Sequence, residues 1–241
     1  MLTAISITRD THNLYRLFPL CIRVGKVMTS ILKTCLFGLS LIYMSPGFAL
    51  ETTGVELDVR IDNFLDEHRG TWHDLNVPET DGRTLYELII RHKFTRALEI
   101  GTSTGHSAIW ISKALNRTGG KLITIEINRR RHSEAVANFK QAGVAHLIDA
   151  RLADAHELIY ELEGPFDFIF SDADKDWYQQ YMEVLLPKLA PGGCFVAHNV
   201  RRWGNRGGIA SMLEYAKSQP DLETTIDTRG AGMSISCKKN T

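Results

Sequence analysis

The sequence predicts an α/β protein: a doubly wound sheet of seven strands, mostly parallel, with an antiparallel last strand. Three observations predict it. Short apolar runs alternate with segments of helical periodicity, the pattern of a parallel sheet covered on both faces. Polar residues or glycine close four of those runs, at Gly101, Glu126, Asp172 and His198. Only residues 227–231 separate the last two runs, short enough for a β-hairpin.

The elements follow in order. Leu57, Ile61, Phe64 and Leu65 recur at helical spacing, which predicts an amphipathic helix over 55–69, although Val55, Leu57 and Val59 also alternate. Residues 72–82 read as a polar loop, and 84–92 as a second helix. Strands are predicted at 97–100, 121–126, 147–151, 166–171, 194–197, 222–227 and 232–238. Helices are predicted between them at 106–116, 130–142, 154–162, 176–189 and 208–218, the fourth ending at Pro191-Gly192-Gly193.

Composition narrows the classes. The 241 residues carry 28 basic and 28 acidic side chains, so no net field draws the chain to nucleic acid or to acidic lipid. The first 49 residues differ from the rest, with Arg9, Arg16, Arg23, Lys26 and Lys33 against Asp10 alone. Met28 is a candidate start. From there Lys33, an apolar run over 35–43 and Ser45-Pro46-Gly47-Phe48-Ala49 have the form of a signal peptide cleaved before Leu50. The run is short for a membrane span. The expected product is an exported protein with no stable membrane insertion; without cleavage it is cytoplasmic or anchored. Cys194 and Cys237 then remain, and no C-x-x-C pair suggests structural zinc.

Residues 97–107, Ala-Leu-Glu-Ile-Gly-Thr-Ser-Thr-Gly-His-Ser, read as strand, tight loop and helix start. Gly101 and Gly105 allow a sharp bend and the close approach of a ligand. The first amides of the helix face the loop. Glu126, at the tip of the next strand, is placed to accept hydrogen bonds from both hydroxyls of a ribose. Together these imply a nucleoside cofactor. A dinucleotide site prefers G-x-G-x-x-G, and two of those three glycines are missing. A hydrolase elbow, G-x-S-x-G, matches literally at Ser103, with Asp172 and His198 following in order. Too few strands precede the loop for that fold. S-adenosylmethionine tolerates the looser glycine pattern.

Phe168-Ile169-Phe170-Ser171-Asp172-Ala173-Asp174-Lys175 delivers two carboxylates and an amine to another strand end. Asp172 suits a divalent cation, and Lys175 suits a general base if its pKa is depressed. His198 and Asn199, at the next strand tip, could join Asp172 around a metal. Four such ends converge on one crevice. Arg129-Arg130-Arg131 reads as a solvated face, and Trp177 as packing.

These motifs, with Tyr178, Tyr181 and Leu189-Ala-Pro-Gly-Gly193, resemble the cation-dependent O-methyltransferases, the catechol and caffeoyl-CoA O-methyltransferase family of S-adenosylmethionine enzymes. The resemblance covers about 70–238. It implies a Rossmann-like methyltransferase domain over 97–241, preceded by helices over 50–96 and the leader over 1–49. It implies that Glu99, Gly101, Thr102 and Ser107 line the cofactor, that Glu126 holds the ribose, and that Ala155 and Asp174 flank the adenine and methionine parts. Asp172 and Lys175 become the catalytic pair, acting on a small phenolic or catechol-like hydroxyl acceptor. Asp172, His198 and Asn199 become the metal set. The family has Asp-Asn where this chain has His198-Asn199, a change that favours Mn²⁺, Fe²⁺ or Zn²⁺ over Mg²⁺. The expected partners are a small-molecule acceptor and a second copy in a homodimer, with no nucleic acid. The alternative is a non-catalytic ligand-binding protein on the same fold. The family fold also makes the strands of Cys194 and Cys237 antiparallel neighbours, so the two sulfurs form either a disulfide or a pair of packed thiols.

Overall fold

A computed structural model describes residues 46–203 and 206–240. The expected leader lies outside these residues except for its last four, which open the first helix. Among the described residues no helix is long and apolar enough to cross a membrane.

The strands are β1 (Arg96–Ile100), β2 (Lys121–Glu126), β3 (Ile148–Leu152), β4 (Phe166–Ser171), β5 (Leu189–His198), β6 (Leu222–Asp227) and β7 (Met233–Lys238). They form one sheet in the order β3-β2-β1-β4-β5-β7-β6. The first five are parallel, and β7 runs antiparallel between β5 and β6. The helices are α1 (Pro46–Glu67), α2 (Glu79–His92), α3 (His106–Thr118), α4 (Arg129–Ala142), α5 (Ala155–Glu161), α6 (Tyr178–Leu185), α7 (Val200–Trp203) and α8 (Gly207–Ser218).

Both faces of the sheet are dry, which is why its central strands read as continuous apolar runs. Phe168 and Phe170 face one core with Ile61, Leu85, Ile109 and Phe139 of α1 to α4. Ile169, one residue out of phase, faces the other with Ile159, Met182 and Met212 of α5, α6 and α8.

The sequence reading needs correcting at three places. Helix α2 begins at Glu79, five residues before the expected start. The end of the expected polar loop is its first turn, and Gly82 there packs closely on α3: a Cβ on it would lie 2.2 Å from the Trp110 indole. The helix expected over 176–189 is instead a 3-10 turn (Lys175–Trp177), α6 and a second 3-10 turn (Leu186–Lys188). Pro187 sits in that second turn, and proline disfavours continued α-helix. Strand β5 begins at Leu189 and runs through Pro191. Its partnership with β7 starts only at Cys194, so the missing proline N–H costs no bond on that side.

Cys194 and Cys237 are register partners on β5 and β7, and a disulfide joins them. Of the two arrangements open at the sequence level, the structure shows the bond.

Candidate active site

The strand order reverses between β1 and β4, and a crevice opens beyond their carboxyl ends, where ligands bind in open α/β sheets. The crevice has a volume of about 830 Å³. Gly101, Glu126, Ala155, Asp172, Asp174, Lys175, His198 and Asn199 all line it. The four strand ends picked out in the sequence therefore do share one cavity.

The glycine loop is built by packing. Gly101 has φ +97°, and a Cβ on it would lie 2.8 Å from the Asp172 carbonyl oxygen. At Gly105 a Cβ would lie 2.5 Å from the Phe139 ring. The neighbour each glycine admits is another part of the chain; only Gly101 also lines the crevice. The Gly101 and Thr102 amides donate to the Ile125 carbonyl at 3.0 and 3.2 Å, tying the loop to β2.

Glu126 is almost fully buried, and each of its oxygens accepts one backbone amide: Ser103 N at 2.8 Å and Asn128 N at 2.8 Å. A carboxylate oxygen has two acceptor sites, so one remains on each for a vicinal diol.

Glu99, Thr102 and Ser107 are buried beneath the loop, and the crevice lining beside them is formed by Gly101 and Ser103. Thr124 Oγ1 donates to Glu99 Oε2 at 2.5 Å and lies 2.5 Å from Thr102 Oγ1. Burial pushes the Glu99 carboxyl up to about 8, with the Ser107 and Thr124 hydroxyls acting in the opposite direction. The three residues hold the loop from beneath.

Asp172 and Lys175 meet as expected, with Lys175 Nζ donating to Asp172 Oδ1 at 2.7 Å. Tyr178 lies beneath, its ring 5.2 Å from the Lys175 ammonium. Burial and the nearby Asp172 charge push the Tyr178 phenol well above its usual range.

His198 is held on both sides. Its Nδ1 lies 2.9 Å from Asp172 Oδ2, and its Nε2 lies 2.7 Å from Asp81 Oδ2. Burial by itself would lower the pKa of the ring; hydrogen bonds and charge from Asp172 and Asp81 outweigh it and hold it up at about 9. Asp81 has no exposed surface and also accepts the Ala231 amide at 3.0 Å. The sequence reading missed Asp81, because it placed residues 72–82 in a solvated loop.

This geometry does not suit the expected metal set. Each ring nitrogen of His198 already faces a carboxylate oxygen, so the ring offers a cation no open nitrogen, and each oxygen of Asp172 already accepts a charged or ring donor and keeps only its second acceptor site. Among the described residues no three His, Cys, Asp or Glu side chains form a metal-holding group. The expected preference for Mn²⁺, Fe²⁺ or Zn²⁺ therefore loses its basis. The hydrolase alternative fails as well: the Ser103 hydroxyl donates to the Asp74 carbonyl, and His198 is committed to two carboxylates.

One surface reading also changes, and the packing reading of Trp177 holds. Arg130 and Arg131 pair with Asp74 and so fasten the 71–78 loop beside the glycine loop. Trp177 stacks on His156 at 3.7 Å between centroids, and His156 lines the crevice.

Fold and crevice together define a class, the α/β proteins with a nucleoside-type site at a topological switch point. Residues 61–212 match the family described as O-methyltransferase, and the chain belongs to that family. It is 35% identical over 134 residues to a catechol O-methyltransferase of Niastella koreensis, covering 54% of this chain and 60% of the relative. It is 34% identical over 166 residues to caffeoyl-CoA O-methyltransferase 2 of Zea mays, covering 65% and 62%. The chain thus spans less than two thirds of the length of these relatives. Among solved structures, an O-methyltransferase from Bacillus cereus in complex with SAH superposes with a TM-score of 0.66 at 26% identity, covering 79% of this chain and 97% of that one.

Proposed function

We propose that this protein is an S-adenosylmethionine-dependent O-methyltransferase acting on a hydroxyl of a small phenolic or catechol-like acceptor. One observation carries the reading: Glu126 and the Asp172–Lys175 pair line the same crevice from strands on either side of β1. Two strand spacings, roughly 10 Å, separate such positions. That is room for a nucleoside at one end and a reacting centre at the other.

The residues present fit the cofactor. Glu126 has an acceptor site left on each oxygen for the ribose hydroxyls. Ile125, Ile127, Ala153 and Ala155 supply an apolar wall for a purine. The carboxylate of Asp174 faces the same space and suits a cationic amino-acid part. Bound there, the cofactor supplies an activated sulfonium methyl group.

The chain's own work is alignment and proton handling. The acceptor hydroxyl gives its proton to Asp172, and the Lys175 ammonium, 2.7 Å away, stabilises the oxyanion left behind. Holding the oxygen in line with the methyl group lowers the barrier by roughly 7–11 kcal/mol at best.

The test is incubation with methyl-labelled S-adenosylmethionine and 3,4-dihydroxybenzoate, read by mass spectrometry, alongside calorimetry with the cofactor. A labelled methyl ether is expected. Saturable cofactor binding with no transfer to any phenol of a broad panel would favour the non-catalytic alternative. Absence of both would overturn the reading.

A further inference from the structure

We propose that the positive charge at this centre belongs to the chain: His198, clamped between Asp81 and Asp172, and Lys175 stand where a divalent cation would be held, and the site binds none. The inference rests on the methyltransferase reading of the same crevice and concerns how that site is charged.

Three observations carry it. First, the ring nitrogens are spent. The two ring nitrogens of His198 each face a carboxylate oxygen, at 2.9 and 2.7 Å, and the remaining oxygen of Asp172 accepts Lys175 Nζ at 2.7 Å. Carboxylates only accept, so both nitrogens act as donors, and the ring keeps no lone pair for a metal.

Second, the charges already balance. Two carboxylates face an imidazolium and an ammonium, and three of these four groups are nearly or fully buried. A dication added here would bring two charges with no counter-charge into a poorly solvated place, which is costly. Admitting it would require Lys175 to leave and His198 to lose its proton.

Third, the clamp is braced by the loop that precedes β7. Asp81 Oδ2 also accepts the Ala231 amide at 3.0 Å. The neighbouring Gly230 packs so closely that a Cβ on it would lie 1.7 Å from Asp81 Oδ1. The 229–232 loop therefore holds Asp81 against His198, and Asp81 is a positioning residue acting through the ring.

This arrangement gives an acceptor a different welcome. A metal would chelate two vicinal oxygens. Lys175, as a point cation, holds one oxygen and tolerates its neighbour being absent. The site should therefore accept simple phenols as well as catechols, within about tenfold in kcat/KM.

The test uses the full chain stripped with EDTA. Calorimetry with Mg²⁺, Mn²⁺ and Zn²⁺ is expected to show no saturable site. Methyl transfer to catechol and to a monophenol is expected to be equal in EDTA and in added Mg²⁺ or Mn²⁺. One ion bound per chain and lost in Asp172→Asn, or stimulation of transfer tenfold or more by either ion, would overturn the inference. If no transfer occurs under any condition, the proposed function fails, and the calorimetry still decides the metal question. Asp81→Asn separates positioning from mere folding: kcat should fall at least tenfold while cofactor affinity and acceptor KM stay within about twofold. A fall in cofactor affinity equal to the fall in kcat would overturn the positioning role.

Discussion

Asp81 and His198 are 117 residues apart in the chain and 2.7 Å apart in the fold. The contact joins the first turn of α2 to the tip of β5. It converts a histidine that resembled a metal ligand into one half of a buried ion pair.

Breaking that pair from one side should be costly. Asp81→Ala leaves the His198 ring buried with Asp172 as its remaining partner, and the expected loss is about 3–5 kcal/mol of folding stability. Urea denaturation at neutral pH measures it. A loss below about 1 kcal/mol would contradict the clamp.

Cofactor binding and turnover should separate along the crevice. Glu126→Ala is expected to weaken S-adenosylmethionine at least tenfold, about 1.4 kcal/mol, because a charge-assisted bidentate contact is lost. Asp172→Asn and Lys175→Met should keep cofactor affinity near normal and lose most methyl transfer. Calorimetry and a transfer assay on the same three proteins check both halves. Normal affinity in Glu126→Ala, or full activity in the other two, defeats the assignment.

Glu99 should give the fold a pH dependence. Its carboxyl is raised from 4.5 to about 8 by burial, so between those values the folded state binds a proton that the unfolded state has released. Its contribution is fully present below pH 4.5 and is lost as pH rises through about 8. Glu99→Gln, which mimics the neutral form, should flatten that fall and be the more stable protein at pH 8.5. Identical stability–pH curves for the two proteins would refute the burial argument.

The Cys194–Cys237 bond closes a loop with a sequence separation of 43. The chain-entropy relation gives about 4 kcal/mol for a loop of that length. Reduction should lower the denaturation midpoint accordingly, and mass spectrometry without reductant should find no free thiol at either position. Two free thiols in that sample would rule the bond out.

Much of the crevice was legible because its parts are local. Apolar runs that stop at Gly101, Glu126, Asp172 and His198 reveal strand ends, and strands connected through helices run parallel, which gathers those ends on one edge. Helix α2 was misread for an equally local reason. The polar run 72–82 reads as a loop until Gly82 is seen packed against Trp110, and with the loop went Asp81. Glu99, Thr102 and Ser107 sit in the same motif, and only the fold shows how deeply they are buried beneath the loop.

By itself, then, the sequence determined the order of strands and helices, the antiparallel end of the sheet, and the polar residues at its active edge. Only the tertiary structure decided what His198 is. Periodicity reports which side of an element is buried, a property of neighbours within a few residues. The charge and ligation of a buried ring depend on which groups reach within about 3 Å of it. For His198 one of those groups, Asp172, follows the last residue of the adjacent strand, and the other, Asp81, comes from a helix that nothing near His198 in the chain announces.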